Sequence, residues 1–188
     1  LASSAASDVY KRQILTPAKS GVMVVDQHRA HLKVLYERYM SMWRTGDFVG
    51  QNLLFPEVLR LTAAQTAILE GLLDELGAIG FDLAPLGDND WSICGVPSVL
   101  SHANPVETVM QILDSAETGG ENGTDAVRRR VALSMARAEA VKNGSPLSSS
   151  EREQLLADLF ALPAPNYTPD GLLIISIISL EKLAELFV

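Results

Sequence analysis

One stretch constrains the rest of the chain. The apolar run Gly21-Val22-Met23-Val24-Val25 stops abruptly at Asp26, and a helical period takes over from there. Residues 22–25 are apolar at every position and mostly β-branched, which predicts a strand buried on both faces. After Asp26, residues Leu32, Leu35, Tyr36, Tyr39 and Trp43 recur at three- and four-residue steps, the stripe of an amphipathic helix. Asp26 suits the N-cap of that helix, where its carboxylate meets free N–H groups of the first turn. A carboxylate and two imidazoles, His28 and His31, thus stand where a strand feeds a helix. Two readings are open. Asp26 and His28, with an acid one turn later, would hold zinc or manganese, since imidazole and carboxylate suit such ions. Alternatively Asp26 is only the cap, and His28 a hydrogen-bonded helix-start residue. Position 32, where the acid would stand, is leucine.

Beyond that junction the chain reads as alternating strands and helices of an α+β fold. Residues 1–13 are rich in Ser and Ala, carry no period, and are expected to be a flank foreign to the domain. Strand one is expected from Ile14, with a turn at 17–20. Gln51-Asn52-Leu53-Leu54-Phe55-Pro56 joins a polar head to large apolar residues and a proline, which biases the segment to extended backbone. It reads either as an ordinary strand with Pro56 at a bulge or edge, or as a linear motif that docks in a partner's groove. Thr62 and Gln65 form a capping box for a helix running to Gly77. Ile79, Phe81 and Leu83 alternate as a half-buried strand, and a returning strand starts at Trp91 after the turn at 87–90. Asn104 caps a helix with Pro105 at its first position. The linker Gly119-Gly120-Glu121-Asn122-Gly123-Thr124 follows. A helix is expected over 125–143, with Arg128, Arg129 and Arg130 in its first turns, either solvated or in local contact with acids or phosphate. Ser148 and Glu151 make a second capping box, heading a helix that buries Leu155, Leu156, Leu159 and Phe160. The stretch 172–178 predicts a central strand with both faces covered, and Ser179 caps a last helix.

Composition bounds what such a chain does. Of 188 residues, 47% are hydrophobic and 20% charged, which suits a globular domain with one sizeable core or two small lobes. A formal net charge of −8 argues against a domain that grips nucleic acid by its whole surface. The single Cys94 excludes an internal disulfide framework and a multi-cysteine zinc site, and fits a reducing cytoplasm. Apolar runs such as 172–175 fall far short of the ~20 residues of a membrane helix, so no membrane partner is expected.

The order of motifs resembles a known family. Asp26-Gln27-His28-Arg29-Ala30-His31, followed by Val34-Leu35-Tyr36-Glu37, resembles the Asp-Gln-His-Ala-Ala-His-Glu-Arg…Leu-Tyr-Glu signature that opens the C-terminal domain of MutL mismatch-repair proteins. Residues 136–141 ahead of Gly144-Ser145-Pro146-Leu147 look like the family's Ala-Cys helix and the Gly-x-Pro segment after it. Pro163-Ala164-Pro165, with Thr168-Pro169-Asp170-Gly171 after it, looks like the family's Pro-x-Pro and Cys-Pro-His-Gly turn. The resemblance covers about residues 19–188. It implies a homodimerisation module of two lobes: a dimerisation lobe from 14–56 and 125–188, and a regulatory lobe inserted at 57–124. It also implies other mismatch repair proteins as partners, and DNA through the full-length protein. The upstream ATPase portion is expected to be absent, since no Gly-rich nucleotide motif occurs. Gln51, Leu53, Leu54 and Pro56 resemble the family's Gln-x-Leu-hydrophobic-x-Pro motif, which implies docking on the replication sliding clamp.

Some relatives of this kind carry a metal-dependent endonuclease, and here the pattern departs from theirs. Asp26 and His28 match, but the signature's glutamate is Leu32. The cysteine of the Ala-Cys helix is Arg137, and the Cys and His of the turn are Thr168 and Asp170. Losing a thiolate, an imidazole and a carboxylate leaves too few ligands for a closed zinc site. The expectation is a non-catalytic domain with no cofactor, and Asp26, His28 and Asp170 as remnant metal candidates; the alternative is a metal-dependent DNA-nicking domain.

Overall fold

The computed structural model describes residues 7–9, 12–100, 102–118 and 123–187. The elements run β1 (Ser7–Val9), β2 (Gln13–Ala18), β3 (Gly21–Asp26), α1 (Gln27–Thr45), β4 (Gly50–Arg60), α2 (Ala63–Glu70) and α3 (Leu73–Ala78). Then come β5 (Asp82–Gly87), β6 (Asp90–Pro97), α4 (Pro105–Thr118), α5 (Thr124–Glu139), α6 (Ser149–Ala161), β7 (Ile175–Ser179), α7 (Leu180–Ala184) and a 3₁₀ turn at Glu185–Phe187. Helices and antiparallel sheets are mixed, the α+β class expected from the sequence. The chain separates into two units, Leu1–Glu37 with Ala140–Val188, and Arg38–Glu139.

The first unit holds an antiparallel sheet in the order β1-β2-β3-β7. Residues 1–13 were expected to stand outside the fold, yet Ser7–Val9 pair with Leu15, Ile14 and Gln13. Three residues are too few to show a period, so the sequence carried no sign of this strand; residues 1–6, 10 and 11 lie outside the described residues. Register places Ile14, Val25 and Ile175 on one face, and Leu15, Val24 and Ser176 on the other, followed there by Pro17, Val22 and Ile178. The first face is core: Ile14, Val25 and Ile174 bury with Ala30 of α1 and Leu155 and Leu159 of α6. On the second face none of these residues is fully buried. Double burial of 22–25 is therefore not found among the described residues: Val22, Met23 and Val24 stay partly open. The reading of 172–178 is corrected too. Its strand is shorter, lies at the end of the described sheet, and leaves Leu172, Leu173 and Ile177 about half exposed at 48%, 45% and 50%. Hydropathy reports what a strand would bury; it does not say whether the cover lies in the same chain. Gly21 is required at the mouth of the β2–β3 hairpin: its φ is +151°, and a Cβ there would lie 1.9 Å from the carbonyl oxygen of Ile178.

The second unit is a sheet in the order β4-β6-β5 with α4 packed on β4, β6, α2 and α5. The capping box of Thr62 and Gln65 forms as expected, but the helix it starts breaks at Gly71 into α2 and α3 rather than running to Gly77. The half-buried strand starts later than the 79–83 alternation implied, because Ile79 and Phe81 are core residues of the connection and β5 begins at Asp82. Asn104 caps α4 by accepting from Glu107 N–H at 2.9 Å. Residues 119–122 of the Gly-rich linker lie outside the described residues; α4 and α5 pack on each other, and Arg128 of α5 pairs with Glu75 of α3 at 3.1 Å. Of the two readings of the arginine run, contact with an acid holds for Arg128. Tyr39 and Trp43 of α1 flank Phe48, with ring centroids at 6.5 and 5.6 Å. Burial pushes the Tyr39 phenol well above its ordinary value; Glu139 adds to the rise and Arg38 opposes it.

Candidate functional site

Two places carry the residues singled out by the sequence. The first is the β3–α1 junction. Asp26 caps α1, its Oδ1 accepting from Arg29 N–H at 3.0 Å. Its Oδ2 faces the Arg12 and Arg29 guanidiniums, each Nε 3.8 Å away. Gln27 is buried and its side-chain amide donates to the Ser145 carbonyl at 2.9 Å. That bond ties the junction to the Gly144-Ser145-Pro146 segment.

The two histidines grip the backbone of one residue, Val141. His28 Nδ1 lies 2.8 Å from the Val141 carbonyl oxygen, and the Val141 N–H donates to His31 Nδ1 at 3.0 Å. A carbonyl oxygen only accepts, so His28 carries its proton on Nδ1; His31 accepts at Nδ1, so its neutral form carries the proton on Nε2. The hydrogen-bonded helix-start reading of His28 thus describes what its Nδ1 does.

The third remnant candidate, Asp170, sits in the turn Thr168-Pro169-Asp170-Gly171. Thr168 Oγ1 donates to Asp170 Oδ1 at 2.5 Å and accepts from Leu172 N–H at 2.9 Å. Leu32, at the place of the signature's glutamate, is buried. Among the described residues, no three His, Cys, Asp or Glu side chains come together as metal ligands.

The second place is β4, in the other unit. It is an outer strand of its sheet, and its register with β6 slips between Asn52 and Glu57, so Pro56 falls in an irregular stretch that asks nothing of its missing N–H. Both halves of the strand reading hold, edge and bulge together. Along it Gln51 and Pro56 are exposed, Leu53 is half-buried, Leu54 is 93% exposed and Phe55 84%. Phe55 is absent from the four candidate residues, although it projects as far as Leu54 does. Its signal was its place inside the apolar run before Pro56.

The family described as "MutL C terminal dimerisation domain" matches residues 8–147. The chain belongs to this family. Relatives agree over more of its length. The DNA mismatch repair protein MutL of Bacteroides fragilis is 43% identical over 176 residues, 94% of this chain and 28% of that protein. The one from Parabacteroides distasonis is 40% identical over 94% of this chain and 29% of its own length. That of Methanocorpusculum labreanum is 35% identical over 93% and 29%. The chain thus spans less than a third of the relatives it matches. Among the described residues no helix is long and apolar enough to cross a membrane.

Proposed function

We propose that this chain is a non-catalytic homodimerisation and partner-docking domain of a MutL-like mismatch repair protein. The observation that carries it is the second face of the β1–β7 sheet, where Leu15, Val22, Val24 and Ile178 share a side and none of the four is fully buried among the described residues. Leu180, Leu186 and Phe187 add exposed apolar surface on the elements that follow β7, at 62%, 74% and 89%. A contiguous apolar face of this kind is costly in water and marks an interaction surface. A second copy fits it, since a self-complementary face closes into a two-fold dimer. The family's description as a dimerisation domain supports the same occupant. Light scattering at micromolar concentration tests this: a dimer is expected, and a monomer overturns the reading.

Docking is the second part. The exposure of Leu54 and Phe55 on an edge strand supports the reading that Gln51, Leu53, Leu54 and Pro56 bind the replication sliding clamp, with Phe55 beside them. Gln51→Ala with Leu53→Ala should remove clamp binding and leave the domain folded; unchanged affinity refutes it. The engaged oxygens of Asp26 and Asp170 support the absence of nuclease chemistry. Manganese-dependent nicking of supercoiled DNA, abolished by Asp26→Ala, would establish the metal-dependent alternative instead. Partnership with other mismatch repair proteins, contact with DNA through the full-length protein, and a reducing cytoplasmic setting complete the reading.

A further inference from the structure

The β3–α1 junction holds a cation of the chain's own. Arg29 approaches Asp26 Oδ2 through Nε at 3.8 Å, and through Nη1 donates to the Leu173 carbonyl at 2.7 Å. It thereby joins the end of β3 to the segment that leaves the 168–171 turn. A backbone bond runs beside it, Asp26 N–H donating to the Ile174 carbonyl at 2.9 Å. The turn itself is closed by Thr168, whose hydroxyl serves both Asp170 and the Leu172 amide.

These are the positions at which the nuclease signature would set ligands, and the donors present do not fit a divalent metal. Both Asp26 oxygens face N–H groups, one of them near two guanidiniums. His28 spends Nδ1 on Val141, Asp170 accepts from Thr168, and position 32 is a buried leucine. A divalent ion placed on Asp26 would have to displace these bonds and sit against like charge. A guanidinium, by contrast, suits the place: its planar fork reaches a carboxylate from one edge and a carbonyl from another. The signature's alanine reaches neither.

We propose that Arg29 is the fixed cation of this junction, tying the Asp26 carboxylate to the Leu173 carbonyl where the related motif calls for metal ligands, and so closing the site to divalent ions. The closure deepens the non-catalytic reading and rests on it; the tie itself does not depend on dimerisation.

Hydrogen exchange on the whole chain, compared among wild type, Arg29→Ala and Arg29→Lys, tests the tie. The Leu172 and Ile174 amides are hydrogen-bonded and so report on local opening. They should exchange about tenfold faster in Arg29→Ala, the weight of one bond to a charged group, with Arg29→Lys between. The β6 amides should not change. Manganese or zinc alone should leave the wild-type melting temperature where it was. Wild-type exchange rates at 172 and 174 in Arg29→Ala overturn the tie. A wild-type melting temperature raised by equimolar manganese or zinc overturns the closure. Should Arg29→Ala fail to fold, Arg29→Lys against wild type decides in the same way. Light scattering on the same samples reports separately on dimerisation, so either claim can fail without the other.

Discussion

β3 and β6 are both inner strands of antiparallel sheets, both apolar, and they differ in how much of that apolarity their own unit covers. In β6, Trp91, Ser92 and Ile93 are buried in succession, so both faces are covered. In β3, only Gly21 and Val25 are buried, and the three residues between them are partly open. The two sequences look alike because hydropathy measures demand for burial. They differ in supply: the second unit packs against β6 from within, whereas α1 and α6 cover only one side of β3. Under the proposed function a second copy supplies the rest.

Four changes would break or sharpen that contrast. Val24→Asp, on the open face, should have the largest effect. Burying an unpaired carboxylate between two copies should weaken the dimer by about a hundredfold or more, read by analytical ultracentrifugation, while circular dichroism stays native. A dimer of unchanged affinity would remove the open face from the interface. Ile93→Ala, fully buried in β6, should cost about 2–5 kcal/mol in chemical denaturation of the second unit and leave dimerisation intact. A loss of dimer there would show that the contrast between the strands is drawn in the wrong place. Gly21→Ala forces a Cβ towards the Ile178 carbonyl, and should cost about 1–3 kcal/mol and speed exchange along β7. Smallest is Ser148→Ala. Hydrogen bonds from the Ser148 hydroxyl and then its amide hold the Glu151 carboxyl below its ordinary 4.5. A group depressed in the folded state stabilises above its unfolded value, and that contribution is lost as pH falls through the folded value. The variant should therefore melt lower than wild type at pH 7, and the gap should narrow without vanishing in acid well below 4.5, because the bond that the Ser148 hydroxyl accepts from Glu151 N–H does not titrate.

What was legible in the sequence was what is local. The caps at Asp26, Thr62, Asn104 and Ser148 are each a side chain meeting an amide three residues on, and all four form. The β4 edge and bulge followed from Pro56, because a missing donor limits where a strand can lie. What was not legible depends on a distant partner. Phe160 continues the period of Leu155 and Leu159, yet is 48% exposed, since the period marks a stripe without its width. The 63–78 stretch splits at Gly71 into α2, which packs on α4, and α3, which packs on β5, both partners that lie beyond the local sequence. At the candidate site, Asp26 and His28 were found by type and spacing, while Arg29 was not singled out. Its meaning lies in the Leu173 carbonyl, 144 residues away.

The two-histidine grip on Val141 has a consequence for inheritance. Both bonds end on backbone atoms, so the identity of the side chain at 141 is immaterial to them. Any residue that fits would satisfy both imidazoles, except proline, which lacks the N–H that His31 receives. Position 141 can therefore drift without either histidine responding. Apart from proline, no exchange of one residue type for another would betray the contact. The chain returns from its second unit at Ala140, and its anchorage there is fixed by atoms that every amino acid but one supplies.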